Sequence, residues 1–176
     1  MSGHNKWSKI KHKKAAGDAA KSKVFGKYAR LITVEAKKVG GNLESPRLKA
    51  VIEKAKKDNM PNDNIERAVK KATEAGGGSM EEVIYEAYGP GGVAIVISGL
   101  TDNRNKAAAE IKHILSKNDC ELAAPGSALW AFSKNENDWT PNTTIPINDT
   151  DGDKLQKIIE ELEDNDEVQE VFTNAE

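Results

Sequence analysis

The feature that most constrains the fold is a short connector at which two properties of the chain change together. Residues 76–79 read Gly-Gly-Gly-Ser, a flexible composition that favours neither helix nor strand. Residues 1–76 hold 19 Lys and Arg against 8 Asp and Glu, whereas residues 77–176 hold 7 against 20. The hydrophobic pattern also changes there, from a helical period to a strand-like one. The sequence therefore predicts a basic domain at 1–76, a linker at 77–79 and an acidic domain at 80–176.

Amphipathic helices are expected in the basic domain. Residues 22–39 repeat apolar side chains at steps of three and four and end at Gly40, because glycine tolerates the left-handed geometry that closes a helix. A second helix is predicted after Ser45-Pro46. A third is predicted where Asp63 and Glu66 stand three apart, the spacing of a capping box. The first domain is therefore expected to be an all-helical bundle.

The acidic domain mixes strand-like and helical patterns. Apolar runs at 83–88 and 93–100 flank the turn sequence Gly-Pro-Gly-Gly, which predicts a β-hairpin. The remaining expected elements are a helix at 102–117, a strand at 128–133, a helix at 154–164 and a strand at 168–173. Helices packed on one face of a small sheet are the economical arrangement. The predicted fold class is α+β, an N-terminal basic helical bundle followed by a small α/β sandwich whose mixed or antiparallel sheet is covered by two helices.

Composition argues against several classes of protein. No segment approaches the roughly 20 apolar residues of a membrane span, so no membrane partner is expected. The opening MSGHNKWSK lacks the apolar core of a secretion signal, which predicts a cytoplasmic protein. The single cysteine, Cys120, cannot form an internal disulfide.

No chemistry of catalysis or metal binding is apparent in the sequence. His4, His12 and His113 do not have the spacing of metal ligands, and one cysteine adds little to them. Neither a paired acid and base nor an activated nucleophile emerges, so we expect no enzyme. No metal and no cofactor are predicted.

The candidate binding segment lies at residues 2–23, where cations surround an aromatic side chain. Each lysine could lie near a phosphate and release a counterion, Trp7 offers a face to a base or an anchor to the domain, and His12 could assist phosphate binding. Residues 6–21 fit either a short helix or an arm that orders on binding. The alternative is a solvated, lysine-rich tail without a specific partner. The candidate nucleic-acid contacts are Lys6, Trp7, Lys9, Lys11, His12, Lys13, Lys14, Lys21, Lys23, Lys27 and Arg30.

Lysine-rich contacts indicate how the nucleic acid would be bound. Bases are usually discriminated by bidentate Arg, Asn or Gln side chains, whereas lysines act mainly on phosphates. The sequence therefore predicts binding to the nucleic-acid backbone with little direct reading of bases.

Two segments of the acidic domain have alternative interpretations. In Thr-Asp-Asn-Arg-Asn at residues 101–105, Asp102 or Asn103 could cap the following helix, and Arg104 is a candidate contact for an anion or an acidic partner. Ten carboxylates between Asp149 and Glu170 fit a solvated acidic face. The alternative is a surface that docks on a basic partner, including the first domain of this chain.

Several longer motifs resemble those of the YebC/PmpR family. The family's opening, Gly-His-x-Lys-Trp-x-x-Ile-Lys-His-x-Lys-Ala-Ala after a small residue, is matched at residues 2–16. Further matches are Pro-Arg-Leu at 46–48, NMPNDNIERA at 59–68, YGPGGVA at 88–94, TDNRN at 101–105, Gly-Ser at 126–127 and VQEVFTNAE at 168–176. The resemblance implies a helical N-terminal domain followed by two α/β domains. It also implies nucleic-acid contacts at Lys6, Lys9, Lys11, His12, Lys13 and Lys14, with Trp7 beside them.

The sequence departs from the family pattern at one point. The family normally has a whole further domain between the strand ending near Phe132 and the motif Trp-x-Pro-x-x-Thr, found here at 139–144. In this chain only residues 133–138 join them. The resemblance therefore implies that the third domain is missing.

The resemblance leaves two principal hypotheses for function. One is a probable DNA-binding transcriptional regulatory protein, since the family is described in these terms. The other is a ribosome-associated translation factor that binds ribosomal RNA and assists synthesis of difficult sequences, since relatives are linked to translation. Lysine-led backbone binding serves both. A third hypothesis is a small-molecule-sensing α/β module that controls the basic domain.

Overall fold

The computed structural model describes residues 18–75, 79–136 and 138–176. These residues divide into two compact units, one ending at Glu81 and the other beginning at Glu82. We call residues 18–75 the helical unit and residues 82–176 the sheet unit. The domain limits predicted from the sequence stay a prediction.

Three helices form the helical unit: α1 (Asp18–Lys38), α2 (Pro46–Lys57) and α3 (Asn62–Thr73). Each has an apolar stripe, and the stripes meet in one core. The buried members of this core are Ile32, Ala36, Leu48, Val51, Ala55, Met60, Ile65 and Ala68. The amphipathic pattern of the sequence thus defines which face of each helix is buried.

The helix ends confirm one sequence-based expectation and correct another. α1 ends at Lys38, and Gly40 and Gly41 follow with φ of 59° and 80°, as expected for a glycine-closed helix. The predicted capping box is wrong, because α3 begins at Asn62 and its N-cap residue is Pro61, without a side-chain cap. Asp63 therefore lies inside the first turn, where its negative charge faces the positive end of the helix dipole.

The sheet unit contains six strands and two helices. Their bounds are β1 (Glu81–Tyr88), β2 (Ala94–Thr101), α4 (Arg104–Lys117), β3 (Glu121–Leu122), β4 (Phe132–Asn135), β5 (Asp138–Pro141), α5 (Asp149–Glu163) and β6 (Val168–Thr173). The main sheet has the strand order β3-β1-β2-β6, and β4 pairs with β5 separately. The pairs β1–β3 and β2–β6 are antiparallel. β1 and β2 are adjacent and joined by five residues, too few for a parallel crossover.

Helices α4 and α5 cover one face of the main sheet. Their apolar side chains, including Ile111, Leu115, Leu155 and Leu162, share a core with the inward side chains of β1 and β2. On the other face, β2 packs against a single 3-10 turn at Leu129–Ala131 and against β4. The predicted α+β class, with a helical bundle followed by a sheet covered by two helices, is confirmed.

Several predicted elements of the sheet unit need correction. The strand predicted at 128–133 is a 3-10 turn at Leu129–Ala131 followed by β4, because Ala128 and Ala131 pack against the sheet instead of extending it. The helix predicted at 154–164 begins earlier, at Asp149, where the side chain of Asn148 caps it. β3 and β5 were not expected. None of the helices in the described ranges is both long enough and apolar enough to span a membrane.

Candidate nucleic-acid interface

Four of the candidate contact residues lie in α1, three of them before its middle and Arg30 just after it. Lys21 and Lys23 are exposed, while Lys27 and Arg30 are partly buried. Lys23, Lys27 and Arg30 follow one another at steps of four and three residues, so they share one side of the helix. The structure therefore presents these three cations together, as their spacing predicts.

The direction of α2 brings further cations to the same end of the helical unit. The hydroxyl of Tyr28, at the middle of α1, donates a hydrogen bond to the carboxylate of Asp58, which directly follows α2. At the other end, Arg47, near the start of α2, contacts Glu35 in the second half of α1, with 3.5 Å between Nη2 and Oε1. α1 and α2 are thus antiparallel, and the end of α2 lies beside the middle of α1.

The last turn of α2 supplies three lysines that the sequence analysis did not single out. Lys54, Lys56 and Lys57 are all exposed. Within the described ranges, none of the three forms an ion pair with an acidic side chain. Their grouping at the end of a helix was visible in the sequence, but their position beside α1 depends on the fold. We call Lys21, Lys23, Lys27, Lys54, Lys56 and Lys57 the basic end of the helical unit.

At the opposite end of the helical unit, several cations form ion pairs with acidic side chains. Glu35 is only 3% exposed and lies 3.0 Å from the Nζ atom of Lys38, in addition to its contact with Arg47. The last residue of α3, Thr73, also lies there, since its Cγ2 is 2.7 Å from where a Cβ on Gly41 would be. Weaker ion pairs join Lys49 to Glu44 at 4.0 Å and Lys70 to Glu74 at 3.9 Å.

An open depression on α3 has mixed charge. It is lined by Asp63, Glu66, Arg67 and Lys70. The guanidinium of Arg67 is engaged locally, with Nη2 donating to the Oδ1 atom of Asn64 at 2.6 Å. Alternating charges attract a polyanion less than a surface of one sign. The basic end is therefore the better candidate for a nucleic-acid contact.

Arg104 lies in the sheet unit, at the first residue of α4, and its side chain is exposed. The cap of α4 is Asn103, whose Oδ1 accepts the backbone N–H of Lys106 at 3.1 Å, so of the two residues considered it is Asn103 that caps. The nearby Tyr85 has its pKa raised by burial, against the opposing effect of the Arg104 charge. Arg104 stays a predicted contact for an anion or partner.

Within the described residues, the structure has no group of three or more His, Cys, Asp or Glu side chains arranged to hold a metal ion. Cys120 is buried, and burial raises the pKa of its thiol, with a smaller contribution from Asp119. A raised pKa lowers the reactive thiolate fraction at neutral pH.

Family models match almost the whole chain. A model described as the TACO1/YebC protein N-terminal domain matches residues 5–75, and one described as the TACO1/YebC second and third domain matches residues 80–137 and 131–175. The chain belongs to the TACO1/YebC family. The helical unit thus lies within the family's N-terminal domain.

Relatives and a solved structure are similar over most of the chain. A probable transcriptional regulatory protein of Fervidobacterium nodosum is 41% identical over 235 residues, covering 99% of this chain and 93% of that protein. A probable transcriptional regulatory protein of Thermotoga petrophila is 54% identical over 136 residues, covering 76% of this chain and 54% of that protein. The crystal structure of a conserved hypothetical protein from Aquifex aeolicus superposes with a TM-score of 0.86 at 33% identity, covering 98% of this chain and 97% of that one.

The departure from the TACO1/YebC pattern falls at the β4–β5 hairpin. The two matched parts of the second model meet there, at residues 131–137. The alignment with the Fervidobacterium protein spans 235 positions, although this chain has 176 residues, so that relative has segments without a counterpart here. In this chain β4 and β5 pair directly, from Phe132 with Pro141 to Asn135 with Asp138. This short hairpin fits the absence of the family's third domain.

The remaining candidate contacts cannot be compared with the structure. They lie outside the described residues and are Lys6, Trp7, Lys9, Lys11, His12, Lys13 and Lys14. In the sequence they occupy positions 6–14, before Asp18, the first described residue.

Proposed function

We propose that this chain is a cytoplasmic, nucleic-acid-binding regulator of gene expression whose helical unit contacts the phosphodiester backbone. The observation that carries the proposal is the basic end, where the last turn of α2 adds Lys54, Lys56 and Lys57 to the cations of α1. Five more lysines and no acidic residue occur in residues 1–17, immediately before α1. Such a density of cations attracts polyanions and gains free energy from counterion release.

The sheet unit would take little part in this binding. Residues 77–176 carry 20 acidic residues against 7 basic ones, and that charge repels a polyanion. The separation of charge supports one nucleic-acid-binding region, formed by the helical unit and the segment before it.

The principal form of the proposal is a DNA-binding transcriptional regulator. Relatives such as the Fervidobacterium and Thermotoga proteins are named probable transcriptional regulatory proteins. Contacts with phosphates would bind the chain to duplex DNA without direct reading of bases. Any sequence preference would then come from the shape of the DNA or from a partner protein.

A specific observation favours the second form, a translation factor that binds ribosomal RNA. α1 contains no Asn or Gln and only one arginine, Arg30. A recognition helix in the major groove normally uses such side chains to read bases. Lysines that contact phosphates bind folded RNA as readily as DNA.

Crosslinking in cells, followed by sequencing of the attached nucleic acid, tests both forms. The transcriptional form predicts enrichment of promoter DNA, and the translational form predicts ribosomal RNA. Recovery of ribosomal RNA without promoter DNA would contradict direct transcriptional regulation, and the reverse result would contradict the translational form. Absence of both above the level of an uncrosslinked sample would contradict nucleic-acid binding itself.

A further inference from the structure

Gly26 is a glycine in the interior of α1 for which the fold provides no reason. Glycine destabilises a helix relative to alanine, because it loses more conformational freedom on folding. α1 nevertheless runs without interruption from Asp18 to Lys38, and Gly26 is not among the residues with positive φ. Apart from its two chain neighbours and the adjoining backbone of α1, no atom of the described residues lies within 4 Å of the position that a Cβ on Gly26 would occupy. Among the described residues, neither a bend nor close packing therefore requires glycine here.

Two of the four surface neighbours of Gly26 on α1 are cations, and the other two are Ser22 and Ala29. Lys23 is three positions before it, Lys27 is next to it and Arg30 is four positions after it. Side chains three and four residues apart on a helix are neighbours on its surface. Gly26 is exposed, so the side chains of α1 leave a gap there with positive charge on either side.

We propose that Gly26 is the point at which the backbone of a bound nucleic acid contacts α1 directly. Without a Cβ, a sugar-phosphate group reaches the main chain of the helix, while the flanking cations reach the neighbouring phosphates. The charge of this stretch of α1 favours a polyanion as occupant, because residues 19–34 contain no Asp or Glu, and the nearby Asp58 carboxylate accepts a hydrogen bond from Tyr28. This inference rests on the proposed nucleic-acid-binding function and assigns a part of its interface.

The substitutions Gly26→Ala and Gly26→Leu test this contact. Because alanine and leucine favour helices, neither variant should lower the urea midpoint of the full chain, measured by circular dichroism. Both should weaken binding to a labelled DNA duplex and to a labelled RNA hairpin, by at least about fivefold for Gly26→Ala and more for Gly26→Leu, as added side-chain atoms meet the ligand. The matched control is Ala75→Leu, at an exposed residue that follows α3 at the opposite end of the helical unit, which should leave affinity unchanged.

The possible results separate this inference from the proposed function. If the wild type binds either probe and both Gly26 variants bind equally well, the contact at Gly26 is contradicted while nucleic-acid binding stands. If the wild type binds neither probe, the proposed function fails and the inference fails with it. Three further results would each contradict a direct contact with a phosphodiester backbone. They are a lowered urea midpoint, an equal loss of affinity in Ala75→Leu, and an equal loss of affinity of the Gly26 variants for poly-glutamate, a polyanion without phosphodiesters, measured by competition with the labelled probe.

Discussion

Glu86 is a buried carboxylate that fixes the position of a loop in the sheet unit. It lies on β1 and is only 4% exposed. Its Oε2 atom accepts the backbone N–H of Gly126 at 2.7 Å, and its Oε1 atom accepts those of Ala128 at 2.9 Å and Leu129 at 2.7 Å. Hydrogen bonds to a charged group are stronger than neutral ones and replace the water that the carboxylate loses on burial. The Glu86 carboxylate therefore holds the loop before β4 to the sheet, together with the Tyr88 hydroxyl, which donates to the backbone carbonyl of Ser127.

Glu86→Gln should lower the free energy of unfolding by about 1–3 kcal/mol, because an amide NH₂ replaces an acceptor opposite a backbone donor. Glu86→Ala should lower it by roughly 3–5 kcal/mol, since all three N–H groups lose their partner. Urea denaturation of the full chain measures both. The exposed Glu121→Gln serves as control and should remain within about 0.5 kcal/mol of the wild type. If Glu86→Ala were as stable as this control, the three hydrogen bonds would not hold the loop.

Two side chains of the sheet unit have pKa shifts with local causes. Hydrogen bonds from Lys117 and Asn118 lower the pKa of Glu161, so its carboxyl stays ionised to lower pH. A hydrogen bond to Glu167 raises the pKa of Lys106, which therefore stays protonated to higher pH. Both contacts join α4, or the residue after it, to residues distant in sequence. These structural contacts are sufficient to explain the two pKa shifts.

Among the elements, long periodic segments were predictable and short ones were not. The stripe of α1 and the turn between β1 and β2 carry their signal within a few neighbouring residues, so the sequence sufficed for them. β3 has only two residues and exists because Ala87 and Tyr88 pair with it. β5 likewise depends on its pairing with β4. Such strands are defined by contacts between distant residues, for which local propensity gives no signal.

The ladder between β2 and β6 contains an irregularity that depends on a glycine. Its register shifts between Ser98 and Gly99. A Cβ on Gly99 would lie 2.5 Å from the carbonyl oxygen of Glu167, and that oxygen accepts the N–H of Leu100 at 2.9 Å. The backbone of β2 and the residue before β6 thus approach closely at this point, which a strand glycine permits.

Gly99→Ala should destabilise the sheet unit, by about 1–3 kcal/mol, because the added methyl group meets backbone that cannot rotate away. The neighbouring Ser98→Ala removes only a weak hydrogen bond to the carbonyl of Glu170, and its cost should stay below about 1 kcal/mol. Urea denaturation compares the two variants. A Gly99→Ala protein as stable as Ser98→Ala would show that the strands separate at this point without cost.

For the whole molecule, the sequence predicted the positive charge of the candidate site but not all the residues that form it. Counting charges sufficed to locate a basic domain and its lysine-rich opening segment. The contribution of Lys54, Lys56 and Lys57 depends on α2 running antiparallel to α1, and that direction rests on contacts such as Tyr28 with Asp58, 30 residues apart. Side-chain packing between helices decides such arrangements, so residue composition could not have revealed it.

The separation of charge between residues 1–76 and residues 77–176 matters because the net charge of the whole chain conceals the basic part. A net charge near zero for the whole protein would suggest no preference for polyanions. The net charge of residues 1–76 is the relevant quantity, because ionic screening limits the reach of each charge to about 10 Å at moderate salt. We therefore expect binding to respond to local changes of charge more than to the total.

The salt dependence of nucleic-acid affinity tests the central claim, that the basic end and the preceding lysines bind phosphates. Replacement of Lys54, Lys56 and Lys57 by Ala should weaken binding and flatten the plot of log affinity against log salt by about one unit per lost contact. Replacement of Lys9, Lys11, Lys13 and Lys14 should do the same. A triple-variant control carries Lys37→Ala, Lys49→Ala and Lys71→Ala. It removes the same charge as the Lys54, Lys56 and Lys57 variant from elsewhere on the helical unit and should leave the slope nearly unchanged. Equal slopes in all the proteins, or equal flattening in the control, would contradict the account.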